Sequence, residues 1–394
     1  MKYWITGSLA AVIVPTFLFF LTNNVKVELP PVDDGYPKPL ANPPTEIRAL
    51  YATSWSATSQ EKMDYLIDLV SSTAANAIIV DIKDYSGIVS YSPKPLVGGI
   101  ELLTSSSLPL AEKYGALTNR IRDINPFVEN MHRHNVYLIG RITIFQDPIL
   151  AKARPDLAVK DPSGMVWKDN KGLSWMDTAS KEVWDYNLAI AQDLFRRGFD
   201  EVNLDYIRFP SDGKGINSLV FPAWDKTNSK REVVRSFFQY LRENLPDKRI
   251  SADIFGQTTV TSDDFGIGQV IEDAYRYFDY VAPMVYPSHF INGFIGYSNP
   301  AEHPYEVIKY SMEEGAKRYV AYDALLRGTS TEPVLKSRLR PWLQAFDLGA
   351  VYTPEMVRKQ IEAINEVRSR YPNVFDGYFL WSPKNNYSAS ALIE

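Results

Sequence analysis

The sequence contains no cysteine, which excludes disulfides, thiolate metal sites and a cysteine nucleophile. Its net charge of −5 comes without a strong basic stretch, so a nucleic-acid interface is not supported. The motifs of serine hydrolases, zinc proteases, P-loop proteins and dinucleotide-binding enzymes are also missing. We therefore expect no metal and no cofactor. What is present is apolar: 45% of the 394 residues are hydrophobic, enough for a large core.

Charge is also missing from the start of the chain. Residues 3–21 are uncharged and follow Lys2, and a stretch of this length can span a bilayer. Residues 1–22 are therefore predicted to be a single-pass transmembrane anchor, with a cleaved signal peptide as the alternative. Lys2 would keep the N-terminus cytoplasmic, which places the remaining chain on the extracytoplasmic side of the membrane. The protein would be secreted if the segment is cleaved.

Proline is concentrated in the next segment. Residues 23–46 hold six prolines, a density typical of an extended, semi-rigid linker without a core of its own. The folded domain is therefore expected to span residues 47–394.

Within that domain, short apolar runs alternate with segments of helical periodicity. We predict eight strands, over residues 47–55, 76–84, 136–144, 200–208, 250–255, 280–286, 339–346 and 377–381. Gly198 stands where a glycine ends the helix before the fourth strand. This α/β alternation predicts a (β/α)₈ TIM barrel. The connections from strand to helix are the long ones, which indicates an elaborated C-terminal face, where the active sites of such barrels lie.

The fourth predicted strand ends in an unusual carboxylate. Asn203 and Asp205 occupy inward positions of an apolar strand, and burying an unpaired carboxylate costs several kcal/mol, which suggests a catalytic site. Other strand ends and the loops that follow them supply carboxylates, cations and aromatic rings. The candidate substrate-binding residues are Trp55, Asp84, Arg141, Trp175, Tyr206, Arg208, Tyr286, His289 and Trp381. Paired carboxylates with ring surfaces suit a poly- or oligosaccharide substrate.

Six motifs carry a family resemblance. The segment DEVNLDYIRFP, preceded by NAIIVDIKD and followed by SADIFG, APMVYPSHF, LQAFDL and GYFLWSP, resembles an uncharacterised family of glycoside hydrolase domains in the glycosidase TIM-barrel superfamily. The resemblance covers most of residues 47–387. It implies a glycosidase whose sugar specificity is open.

Two clans of that superfamily offer roles for individual residues. Similarity to the α-amylase-like clan implies a nucleophile at Asp205, an acid/base at Asp253 and a supporting carboxylate at Asp347. This sequence departs from that clan, because the strand-five acid there is a glutamate and its arginine two residues before the nucleophile is Asn203 here. A chitinase-like mechanism is disfavoured because Ile207 stands where its glutamate belongs.

The working hypothesis is a retaining glycosidase, with Asp205 as nucleophile held ionised by Arg208 and Asp253 as acid/base. Each role has a structural alternative. In these alternatives, Asp205 is a structural carboxylate paired with Arg208 or Arg141 inside the barrel. Asp253 would then cap a loop, and Asp347 would be a turn residue.

Residues around these carboxylates also have structural interpretations. Asp81 and Lys83 could form an ion pair inside the barrel. Trp175 and His289 could pack against the barrel mouth without contacting a substrate.

Two further functions stay open. One is a non-catalytic, membrane-tethered barrel that binds a carbohydrate. The second is a transglycosylase, which shares the acid/base chemistry and differs in the acceptor.

Overall fold

The computed structural model describes residues 35–93, 96–97, 100–101 and 106–393. The predicted anchor over residues 1–22 and the first part of the predicted linker lie outside these residues. Among the helices that are described, none has the length and apolar character needed to cross a membrane.

Nine parallel strands form one sheet. They are β1 (Arg48–Ala52), β2 (Ala77–Lys83), β3 (Tyr137–Thr143), β4 (Glu201–Asp205), β5 (Ile250–Phe255), β6 (Tyr280–Met284), β7 (Arg338–Leu339), β8 (Trp342–Gln344) and β9 (Tyr378–Trp381). A separate two-stranded hairpin joins Leu96–Val97 to Ile100–Glu101. All eight predicted strands are present, most of them shorter than predicted.

The sheet closes on itself. Strand β9 pairs with β1 and with β8, while β6 pairs with both β7 and β8. Because β7 and β8 share the seventh position, nine strands fill eight positions of a closed parallel barrel. The predicted (β/α)₈ barrel is therefore confirmed.

Helices cover the outside of the barrel. The described helices are α1 (Gln60–Ser72), α2 (Pro109–Lys113), α3 (Ile124–Arg133), α4 (Pro148–Ala153), α5 (Lys181–Arg196), α6 (Lys230–Asn244), α7 (Ile271–Tyr277), α8 (Pro304–Arg327) and α9 (Pro354–Arg370). Their starts follow local chemistry, as at Ser229, whose side chain and that of Glu232 form a capping box. Gly198 has φ +85° just after α5 ends, as predicted for a helix-ending glycine.

Strand alternation produces two apolar cores. Residues such as Leu50, Ile78 and Leu204 point outward and pack with the helices. Residues such as Tyr51, Ile79 and Trp342 point into the barrel. Successive side chains of a strand face opposite sides, so the inward positions of β4 are Glu201, Asn203 and Asp205. Polar groups on that face lie inside the barrel.

The barrel floor, at the N-terminal ends of the strands, holds a buried ion pair. Arg340 donates to Glu201 at 2.8 and 3.0 Å, and both side chains are fully buried. Arg340 also donates to the carboxylate of Asp376 at 3.2 Å and stacks on Tyr280 at 3.5 Å. Tyr137 donates its hydroxyl to Glu201 at 3.2 Å. We call these residues the floor cluster.

Candidate active site

A cavity of about 320 Å³ opens at the C-terminal ends of the barrel strands. This is the face that the loop lengths indicated. Carboxylates, cations and aromatic rings share its wall. The lining residues are Tyr51, Arg141, Lys171, Asp205, Tyr206, Arg208, Asp253, Phe255, Gly256, Gln257, Met284, Tyr286, His289, Phe290, Trp342 and Trp381.

Arg141 of β3 lies at the centre of the charged groups. Its Nη1 donates to Oδ1 of Asp81 at 2.5 Å, its Nη2 donates to Asp205, and its Nε lies 3.5 Å from Oδ2 of Asp253. Asp81 also accepts the hydroxyl of Tyr51 at 2.5 Å. We call Arg141, Asp81, Asp205 and Asp253 the mouth cluster. One cation faces three carboxylates there.

Asp205 ends β4 and is held from two sides. Its Oδ2 accepts from Arg141, and its Oδ1 accepts the backbone N–H of Tyr206 at 2.6 Å. Tyr206 has φ +54°, a left-handed conformation that costs a non-glycine residue about 1–3 kcal/mol and is concentrated at functional sites. Both contacts stabilise an ionised carboxylate.

Asp253 of β5 has a different environment. Its Oδ1 accepts from Nδ2 of Asn203 at 2.8 Å and from Nε1 of Trp342 at 2.7 Å, and the residue is 1% exposed. Burial and the nearby charge of Asp205 raise the pKa of Asp253 to about 8. Asp253 therefore holds a proton at neutral pH and can donate it.

The two carboxylates have matching positions on neighbouring strands. Leu204 of β4 is in register with Ala252 of β5, so Asp205 and Asp253 follow at the same height, on the inward face. Adjacent strands lie about 4.8 Å apart. The site thus combines an ion-paired carboxylate with a protonated one across a single strand spacing.

Aromatic rings form one wall of the cavity. Tyr286 and Trp381 are in contact, with centroids 5.2 Å apart, and Tyr51 meets Trp342 edge to face at 6.2 Å. His289 packs against Tyr286 at 5.1 Å between ring centroids. Ring faces of this kind offer apolar surface for the C–H faces of a sugar.

Most of the predicted site residues line this cavity. They are Asp205, Asp253, Arg141, Tyr206, Arg208, Tyr286, His289 and Trp381. Their roles remain predictions, although their common location makes those roles possible.

Four predicted residues lie elsewhere. Asp84 pairs with Arg120 at 2.8 Å, and the exposed ring of Trp55 stacks on the same arginine at 4.3 Å. Trp175 is buried behind Tyr206, at 5.7 Å between ring centroids. Asp347 is exposed and accepts the backbone N–H of Tyr352 at 2.8 Å, the contact of a turn residue.

One predicted ion pair was wrong, and of the two partners considered for Asp205 the structure has Arg141. Asp81 does not pair with Lys83, because the register between β2 and β3 shifts after Asp81. Lys83 instead lies between barrel and helices, where it pairs with Asp147 at 2.7 Å and donates to Asn187. The partner of Asp205 is Arg141 rather than Arg208.

Sequence reasoning missed four aromatic residues of the cavity lining, Tyr51, Phe255, Phe290 and Trp342. Strand alternation could have placed Tyr51 inside the barrel, since it shares a face with Ala49. Trp342 follows Arg340 and Pro341, which interrupt the strand. Alternation along the strand therefore does not show which way the Trp342 side chain points. Among the described residues, no group of His, Cys, Asp and Glu side chains is arranged to hold a metal ion.

The chain is similar to several solved structures, and the first of these supports the fold. The glycoside hydrolase domain of PgaB (BpsB) from Bordetella bronchiseptica is 13% identical, with a TM-score of 0.55 over 87% of this chain and 95% of that one. An α-galactosidase from Thermus thermophilus is 12% identical, with a TM-score of 0.49 over 90% of this chain and 61% of that one. A hypothetical protein from Ruminiclostridium thermocellum is 34% identical, with a TM-score of 0.45 over 55% and 98%.

The search of curated proteins found no match. A family model does match, over residues 49–387, and its description is "Putative glycosyl hydrolase domain". The match covers the whole barrel, including β4, β5 and the cavity between them. The chain therefore belongs to this family of glycosyl hydrolase domains and is a glycosidase by class.

Proposed function

We propose that the barrel cleaves a glycosidic bond of an extracytoplasmic poly- or oligosaccharide in the cavity, with Asp205 as the nucleophile and Asp253 as the general acid/base. The observation that carries the proposal is the contrast between these two neighbouring carboxylates. Glycosidases need one carboxylate that attacks or stabilises the oxocarbenium-like centre and one acid that protonates the leaving oxygen. The extracytoplasmic location rests on the predicted anchor or signal peptide at residues 1–22.

Asp205 suits the nucleophilic role. Arg141 and the Tyr206 N–H stabilise its negative charge, while its position at the end of β4 opens it to the cavity. Attack on the anomeric carbon would form a glycosyl ester at Asp205, and Asp253 would protonate the departing oxygen. In the second step the deprotonated Asp253 would take a proton from water as that water attacks the ester.

The spacing favours retention of anomeric configuration. Retaining enzymes hold their carboxyl groups about 5–5.5 Å apart, whereas inverting enzymes leave room for a water at about 6.5–9.5 Å. Asp205 and Asp253 lie one strand spacing apart at the same height, which fits the shorter distance. A retained configuration at the first-formed product is the expected outcome.

The test compares leaving groups. Full-length protein is screened for reducing-end release from bacterial and plant polysaccharides, and the cleaved linkage is then rebuilt as alkyl and nitrophenyl glycosides. Asp253→Asn should lose at least about a hundredfold in kcat/KM on the alkyl glycoside. It should lose much less on the nitrophenyl glycoside, whose leaving group needs no proton. Asp205→Asn should abolish turnover of both.

Asp247→Asn, at an exposed position, is the matched control and should behave as wild type. Tight sugar binding without turnover by the wild type would replace the proposal with a carbohydrate-binding role. Products longer than the substrate would indicate transglycosylation. An inverted first product, seen by proton NMR, would exclude Asp205 as the nucleophile.

A further inference from the structure

The cavity wall contains a buried cation that the proposed mechanism does not use. Arg208 lines the cavity, is 7% exposed, and follows Asp205 by three residues. Its guanidinium lies 4.6 Å from the ring centroid of Phe255, 4.9 Å from that of Trp175 and 5.4 Å from that of Tyr206. Three rings therefore pack around the group.

The donors of Arg208 are almost unused. An arginine has five N–H groups, and among the described residues the guanidinium makes one hydrogen bond, from Nη1 to the carbonyl oxygen of Phe209 at 3.1 Å. No described carboxylate forms an ion pair with it. A buried cation without a counter-ion is costly, so a site that retains one has a use for its charge.

The acidic residues that attract Arg208 are Asp205, Asp212 and Asp169, and each has other hydrogen-bond partners. Asp205 accepts from Arg141 and from the Tyr206 N–H. Asp169 accepts from Nε2 of Gln146 at 2.8 Å and from Nε1 of Trp175 at 3.0 Å. Asp212 accepts the backbone N–H of Asn170 at 3.2 Å. All three act on Arg208 only through longer-range attraction. The directional donors of Arg208 thus remain available to a ligand in the cavity.

The charges around the cavity also favour an anion. Three cations, Arg141, Lys171 and Arg208, line the cavity beside two aspartates, Asp205 and Asp253. Burial and the charge of Asp205 raise the pKa of Asp253 to about 8, which weakens its negative charge at neutral pH. A carboxylate on the substrate would be attracted by these cations, whereas a cationic amino sugar would be repelled by them.

We propose that the cavity binds a glycan that carries a carboxylate, a uronic acid residue, through a bidentate contact with Arg208. The planar guanidinium fork matches a planar carboxylate, and the three rings hold the fork in place. Lys171 lines the same cavity and adds longer-range attraction. The inference rests on the proposed function for the sugar, while the anion contact can be measured without turnover.

Binding is measured by calorimetry on full-length protein carrying Asp205→Asn, so that no ligand is cleaved. The probes are oligogalacturonates and oligoglucuronates, each compared with its carboxyl-reduced counterpart and with an O-sulfated neutral oligosaccharide of equal length. The acid of one series should bind about tenfold to a hundredfold more tightly than its reduced counterpart. Adding Arg208→Gln should abolish that ratio, while Arg235→Gln, at an exposed position of α6, should preserve it.

Equal affinity for the acid and its reduced form in both series would overturn the inference. So would tighter binding of the sulfated sugar, or an unchanged ratio in the Arg208→Gln protein. If that variant does not fold, the comparison of ligands on the Asp205→Asn protein still decides whether the cavity prefers a carboxylate. A preference for the acid without cleavage by the wild type would remove the proposed hydrolysis and leave the anion site. Cleavage of neutral sugars alone would remove the anion site and leave the proposed hydrolysis.

Discussion

The barrel interior holds two clusters of charged residues, each centred on an arginine. They differ in their number of carboxylates and in their contact with the cavity. In the floor cluster, Arg340 lies between Glu201 and Asp376, and the hydroxyl of Tyr137 also contacts Glu201. In the mouth cluster, Arg141 faces Asp81, Asp205 and Asp253. The floor has two carboxylates beside Arg340, and neither Arg340 nor Glu201 is exposed to solvent. The mouth has three and opens into the cavity.

This difference separates a structural use of buried charge from a chemical one. A buried ion pair with all its partners in place fixes geometry and has no proton to exchange. At the mouth, the burial of Asp253 and the neighbouring charge of Asp205 raise the pKa of Asp253 to about 8, so the protonated form is favoured at neutral pH. Burial together with the third carboxylate therefore makes acid/base chemistry possible there.

Breaking the floor pair should have the largest effect on stability. Arg340→Met leaves Glu201 buried without its cation, which should lower the free energy of unfolding by about 3–5 kcal/mol. Denaturant unfolding measures this change. The double variant Glu201→Leu with Arg340→Met should recover most of the loss, because no charge is then stranded. A single variant as stable as wild type would mean that the floor pair is not needed.

The same change at the mouth should cost less stability and more activity. Arg141→Met should lower the free energy of unfolding by only about 2 kcal/mol, because the freed carboxylates are at a water-accessible cavity and can take up protons. Turnover should fall at least about a hundredfold, since Asp205 loses the cation that positions it and stabilises its charge. Unfolding curves and kcat/KM are measured together. Activity close to wild type would contradict the assigned role of Arg141.

The protonated carboxyl should appear in the pH dependence. Folding raises the pKa of Asp253 to about 8. The stability that the protonated Asp253 contributes is therefore fully present below the pKa of an ordinary carboxyl group. It is lost as the pH rises towards 8. Activity should fall above pH about 8 by up to tenfold per unit, as the acid loses its proton. Asp253→Asn should flatten both profiles, whereas Arg340→Met should leave the pH dependence of activity unchanged.

The smallest effect is expected at Asp347. Asp347→Asn should change the free energy of unfolding by at most about 0.5 kcal/mol and leave kcat/KM nearly unchanged. The residue is exposed and its described side-chain contact is to the backbone of Tyr352. A large drop in kcat/KM with unchanged stability would instead support the catalytic role that the clan resemblance implies.

The barrel could be predicted because strands buried on both faces leave long apolar runs in the sequence. Asp205 and Asp253 were recognisable for the same reason, as charges on inward positions of such runs. Tyr51 and Trp342 were not, since an aromatic residue in a strand looks the same whether it fills a core or lines a site. The partner of Lys83 depended on a register shift, which strand alternation alone cannot reveal.

The left-handed residue after Asp205 also bears on how this barrel can change. Tyr206 has a strained backbone, and its N–H helps to hold the Asp205 carboxylate in place. Glycine or asparagine would relax the strain and keep that N–H. Selection for thermostability alone would therefore remove an aromatic ring from the cavity wall while leaving the backbone contact to Asp205 intact.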